Sequence, residues 1–111
     1  MLQGVEADRV FSALADQTRR DILRRAMAGE EGVAELASHY PMSFAAVQKH
    51  VAVLERAGLV SKRREGRRLV VTTRLERVRA AQRLLDQFEE LWRGRADRMA
   101  DILAVPEEED R

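Results

Sequence analysis

The chain has 111 residues, 45% of them apolar and 35% charged, with a formal net charge of +1 and no cysteine. That length fits one domain with a small core. The missing cysteines exclude disulfide scaffolds, thiolate metal sites and cysteine nucleophiles. Two histidines, one tyrosine and one tryptophan are the other unusual chemical handles, a poor inventory for an enzyme.

Residues Met1 to Glu6 show neither a basic nor an apolar segment, so no signal peptide is expected. Apolar runs reach four or five residues, far below the roughly 18 of a membrane span, so no membrane partner and a cytoplasmic location are expected. Ala7, Val10, Phe11, Leu14 and Ala15 recur at helical spacing and predict a first helix over 5–15. Asp16 has the chemistry to cap a second helix running to about Ala28, with Ile22, Leu23, Ala26 and Met27 inward. Gly29 and Gly32 break it. Val33, Leu36, Ala37 and Tyr40 predict a short third helix, stopped by Pro41. Ser43 caps a fourth helix to Ala57, and Gly58 suits its left-handed end. Leu59 to Arg64 and Arg67 to Thr73 read as two strands about a Glu65-Gly66 turn. A last helix spans 76–103, followed by an acidic tail over 104–111 that composition predicts to be disordered. The whole is mainly α with a small β-hairpin, an α+β domain of five helices over 1–103.

Charge is unevenly placed. Residues 60–83 hold nine basic and two acidic groups, net +7, whereas 1–59 sum to −1 and 84–111 to −5. A concentrated basic segment is the electrostatic footprint of a polyanion partner; a solvated arginine-rich face is the plain alternative. The order over 33–73 (short helix, turn, capped helix, glycine stop, basic hairpin) is that of a winged helix-turn-helix. On the fourth helix Val47, Val51 and Leu54 share an inward face. Ala45, Gln48, Lys49, Ala52 and Arg56 share the opposite one. Small residues there let a backbone approach a major groove, while Gln48 and Lys49 reach base edges or phosphates. Arg63, Arg64, Arg67 and Arg68 at the hairpin tip suit phosphate or minor-groove contact. Their structural alternative is edge-strand protection.

The stretches "FSALADQTRRDILRRA", "VAELASHYPMSFAAVQKHVAVLERAGLV" and "REGRRLVV" resemble the ArsR/SmtB family of bacterial winged helix-turn-helix repressors. The resemblance covers residues 8–73, and the last helix more loosely. It implies a homodimer on a palindromic operator in double-stranded DNA, often its own promoter. Ser43 to Val51, including Ala46 and His50, would be the recognition segment and Arg63 to Arg68 the wing. His50 is open between a phosphate contact and packing. Family metal sensors use cysteines on the third helix, or Asp, His and Glu sets on the last; this chain has no cysteine and no histidine on its last helix. Neither a metal nor another cofactor is therefore expected, which leaves a small organic inducer, control by abundance, or no ligand. A protein-interaction winged helix without DNA binding is the alternative function.

Other single residues carry bland expectations. His39 would cap the third helix, Phe44 would pack beside the turn, and Arg19 and Arg20 would pair with Asp16 or touch phosphate. Val78, Ala81, Leu85, Phe88, Trp92, Ala96, Met99 and Leu103 form one stripe on the last helix. At about 1.5 Å per residue that helix is roughly 42 Å long, more than a small winged core can cover. Leu85, Phe88, Trp92 and Met99, with Phe11 and Leu14 of the first helix, are the expected dimer interface.

Overall fold

A computed structural model of the chain describes residues 2–108, with side chains described through Ala104. The elements are α1 (Gly4–Leu14), α2 (Gln17–Ala28), β1 (Glu31–Gly32), α3 (Val33–Ala37), α4 (Phe44–Arg56), β2 (Val60–Glu65), β3 (Arg68–Thr73) and α5 (Leu75–Glu108). The five expected helices form within a residue or two of their expected starts. The acidic tail expected over 104–111 falls on this end of α5 and on residues 109–111, which lie outside the described residues.

Local chemistry sets the boundaries. Asp16 accepts from the Arg19 backbone N–H at 2.9 Å and starts α2. Ser43 accepts from the Ala46 N–H at 3.1 Å and starts α4. Each satisfies an amide that the helix itself leaves unpaired. Gly58 closes α4 at φ +79°, where a Cβ would be strained.

The sheet corrects the two-stranded expectation. β1 pairs antiparallel with β3, giving the order β1-β3-β2. A two-residue strand has no periodicity to betray it. The hairpin turn is also one residue later than expected: Glu65 pairs with Arg68, so Gly66 and Arg67 are the two central residues. Gly66 takes φ +64° and Arg67 does not have positive φ, the pattern of a II′ turn.

The core lies where α1 to α4 meet the sheet. Val10, Ile22, Leu36, Val47, Val51, Leu54, Leu59 and Val71 are all but fully buried in it. The inward triplet Val47, Val51 and Leu54 is thereby located as expected, so α4 is fixed by one face and open on the other. Met27 departs from expectation. Ile22, Leu23 and Ala26 turn inward, but Met27 is 47% exposed at the edge of that face. α5 joins the core through Ala80 and Ala81, with Val78 partly buried beside them. Beyond Leu84 only Gly94 and Ala104 among its described side chains are even half-buried. The helix projects from the domain, and the molecule measures 74 × 26 × 20 Å.

Candidate nucleic-acid interface

The exposed side of α4 carries the residues singled out from its sequence. Ser43, Ala45, Gln48 and Lys49 are exposed, Ala46 and Ala52 half-buried. Gln48 lines a groove of about 280 Å³ together with Phe44, Val33, Glu35, Arg67, Arg68 and Leu69. The recognition face and the wing therefore border one concavity. Phe44 does not pack away beside the turn; it is 47% exposed in the wall of this groove.

His50 stands apart from that face. Its ring points to the α1–α2 junction, with Nδ1 3.3 Å from Arg19 Nη1 and 4.0 Å from Asp16 Oδ2. Arg19 is the hub of that junction. Its Nε donates to the Ala13 carbonyl at 2.8 Å and its Nη2 to the Ser12 carbonyl at 3.1 Å. Arg20 Nη1 donates to the Leu14 carbonyl at 2.8 Å. Both arginines thus satisfy the open carbonyl end of α1, where a cation is also favoured by the helix dipole. These bonds to the α1 carbonyls stand in place of the expected side-chain pairing with Asp16. Asp16 is held below the usual carboxylate value first by the Arg19 backbone N–H, then by the Arg19 charge.

A second cluster fixes the turn before α4. Tyr40 donates to Asp21 Oδ2 at 2.6 Å, Arg25 donates to the same oxygen at 3.1 Å, and the Arg25 guanidinium lies 5.8 Å from the Tyr40 ring centre. Burial, then the hydrogen bond to Asp21, pushes the Tyr40 hydroxyl up to about 12. α3 ends at Ala37, so Tyr40 lies past it and does not belong to its inward face. His39 also lies beyond α3, its Nε2 2.9 Å from Glu31 Oε2, and does not cap the helix.

The wing arginines are not equivalent. Arg63 donates to both Glu30 oxygens, at 3.3 and 2.9 Å, and to Glu65 Oε2 at 2.7 Å. Arg68 donates through Nε to Glu35 Oε1 at 3.1 Å and lies 3.6 Å from Glu65. Glu35 also accepts from the Gly32 N–H at 2.9 Å, the largest cause, ahead of Arg68, that holds its carboxyl below its ordinary value. Glu30 is held low chiefly by Arg63. Lys62 ties β2 to α4 through Glu55 at 3.3 Å. Arg64 and Arg67 are exposed, with no hydrogen-bond or ion-pair partner among the described residues. The acidic partners Glu30 and Glu35 were not foreseen, because each lies 33 residues from its arginine in sequence.

Among the described residues no three His, Asp or Glu side chains gather as a metal site. No described helix is long and apolar enough to cross a membrane. The expected interface residues on α5 stand open: Leu85 is 54%, Phe88 60%, Trp92 63% and Met99 54% exposed. Phe11 and Leu14 instead pack partly against the domain's own core.

The family described as bacterial regulatory protein, arsR family, matches residues 16–62. The HTH-type transcriptional regulator Rv2034 of Mycobacterium tuberculosis is 42% identical over 81 residues, covering 73% of this chain and 76% of that protein. An ArsR-like transcriptional regulator from Rhodococcus has a similar structure, with TM-score 0.78 and 29% identity over 87% of this chain and 92% of that one. A homodimeric winged helix-turn-helix DNA-binding domain from Mycobacterium bovis, solved by NMR, gives TM-score 0.63 and 26% identity over 81% and 91%. The segment from Asp16 to Lys62 that carries the family match holds α2, α3 and the open-faced α4, and on these grounds the chain belongs to the arsR family of bacterial regulatory proteins and is a transcriptional regulator.

Proposed function

We propose that this regulator acts as a cytoplasmic homodimer that binds a palindromic operator in double-stranded DNA and represses by occluding the promoter. The observation that carries the reading is the shared groove: Gln48 of the open α4 face and Arg67 of the wing line the same concavity. A helix with alanines near its start enters a major groove closely, and Gln48 and Lys49 then meet base edges. The wing, inside the basic segment 60–83, supplies sequence-independent affinity from phosphates.

Dimerisation is supported by the uncovered part of α5. Leu85, Phe88, Leu91, Trp92, Met99, Ile102 and Leu103 are each more than half exposed. A second copy burying these seven side chains gains roughly 10–20 kcal/mol before association costs of about 4–15 kcal/mol. A two-fold dimer presents two α4 helices, which suits half-sites about 34 Å apart, one turn of DNA. The absence of cysteine from the chain and of histidine from α5 leaves a small organic inducer, control by abundance, or no ligand at all.

Fluorescence anisotropy on the DNA upstream of the chain's own coding sequence, against a scrambled duplex, tests the proposal. Tight, selective binding is expected, and Lys49→Ala should weaken the selective part. Equal, salt-insensitive binding to both duplexes, or none, refutes it.

A further inference from the structure

We propose that the four wing arginines divide into two pairs with different work: Arg64 and Arg67 meet the DNA backbone, while Arg63 and Arg68 are positioning residues that lash the wing to the chain around β1. This rests on the DNA-binding reading above and assigns roles within it.

The division follows from strand register. Side chains alternate between the faces of a strand, and directly paired residues share a face. Arg64 pairs with Leu69, which lines the groove beside Phe44 and Gln48. Arg64 therefore lies on the wing face that looks toward α4. Arg67, second residue of the hairpin turn, lines that same groove; Arg68 lines it too, but Glu35 holds its guanidinium. Neither Arg64 nor Arg67 has a partner among the described residues, so both are available to a phosphate.

Arg63 pairs with Val70 and lies on the opposite face. There Glu30, just before β1, takes it in a two-pronged grip. With the order β1-β3-β2, this tie runs from one edge strand across β3 to the chain entering the other. Arg68 holds Glu35 in the first turn of α3. Glu65 lies between the two, touching Arg63 at 2.7 Å and Arg68 at 3.6 Å. Moving Arg63 to a phosphate would leave Glu30 unpaired and Glu65 with Arg68 alone, both beside another anion, a juxtaposition that costs binding. The acidic residues thus neutralise one pair and leave the other pair's charge for DNA. The ties also set the angle of the tip, so that Arg64 and Arg67 stand at a fixed distance from α4.

The test is the salt dependence of binding by the full chain to a random-sequence 30-base-pair duplex between about 50 and 200 mM salt, where each phosphate contact adds about 0.9 to the slope of log K against log salt. Arg64→Ala with Arg67→Ala should flatten the slope by about 2 per bound protomer. Arg63→Ala with Arg68→Ala should lower affinity yet leave the slope within about 0.5 of the parent, while amide exchange at Leu69 and Val70 speeds up. The charge-swapped Glu30→Arg with Arg63→Glu keeps net charge and re-forms that pair, although it sets the new carboxylate beside Glu65; its slope should match the parent's, with exchange slower than in the Arg63→Ala and Arg68→Ala variant. The proposal is overturned if either Arg63 variant flattens the slope as much as the Arg64 and Arg67 pair does. A steep parental slope that no wing variant changes removes the wing from the interface but leaves DNA binding by α4. A parent that does not bind the duplex at all defeats the DNA reading itself.

Discussion

Truncating Phe88 and Trp92 to alanine should convert a dimer into separate protomers. Both rings project from α5 beyond its last core contacts, 60% and 63% exposed. A large aromatic side chain carries about 200 Å² of burial, so roughly 120 Å² of each ring remains open, or about 3 kcal/mol at 25 cal/mol/Å². A two-fold interface repeats each ring, giving four rings in all. If a second copy covers half of that open surface, the double substitution loses about 6 kcal/mol, a roughly 10⁴-fold rise in the dimer Kd. Sedimentation equilibrium of parent and variant reads this directly. Trp92 is the only tryptophan, so the emission of Phe88→Ala on dilution gives an independent reading. The parent should be dimeric at micromolar concentration with blue-shifted emission. Helix content should survive in the variant, since neither ring belongs to the core. A parent that sediments as a lone protomer at about 10 μM, or a variant Kd within about threefold of the parent's, refutes the reasoning.

Three further outcomes follow from particular contacts. Gly58→Ala places a Cβ at φ +79° and within 2.9 Å of Arg77 Nε; the side chain can move, the backbone cannot, so urea unfolding should show a loss of about 1–2 kcal/mol. The Tyr40 hydroxyl first, then Arg25, holds Asp21 below the usual carboxylate value. The unfolded chain takes up that proton first as pH falls, so this stabilisation is present above about pH 4 and lost below it; between about pH 4.5 and 2.5 the urea midpoint of the parent should fall more steeply than that of Asp21→Asn, and parallel falls would remove the contact from the account. Gln48→Ala should lower affinity for the operator by roughly 1–3 kcal/mol per protomer with little effect on a random duplex, as anisotropy on both would show.

The starts of α2 and α4 were legible because each rests on a local signal. Asp16 and Ser43 are side chains that cap wherever a helix begins behind them, and Gly58 fits a left-handed stop. The open and buried faces of α4 were equally legible, since periodicity alone separates Val47, Val51 and Leu54 from Gln48 and Lys49. What escaped the sequence depends on tertiary pairing. β1 is two residues long, and only its ladder to β3 makes it a strand. The hairpin turn shifted because Glu65 found a cross-strand partner in Arg68, leaving Gly66 to supply the positive φ. Arg19 and Arg20 are near the start of their own helix, yet they serve the end of the preceding one. The unequal state of the wing arginines is set by Glu30 and Glu35, distant in sequence and adjacent in space. Met27 sits at the margin of a helical face, where spacing does not decide exposure.

The central claim is that the open face of α4 and the wing tip meet the same duplex. Amide chemical-shift mapping of the isotope-labelled chain, titrated with its upstream duplex, tests it most directly. The largest changes are expected at Ser43 to Lys49 and at Arg64 to Arg67, with α5 beyond Leu84 unmoved. Changes confined to α5 or to the α1–α2 surface, with α4 and the wing silent, would contradict it.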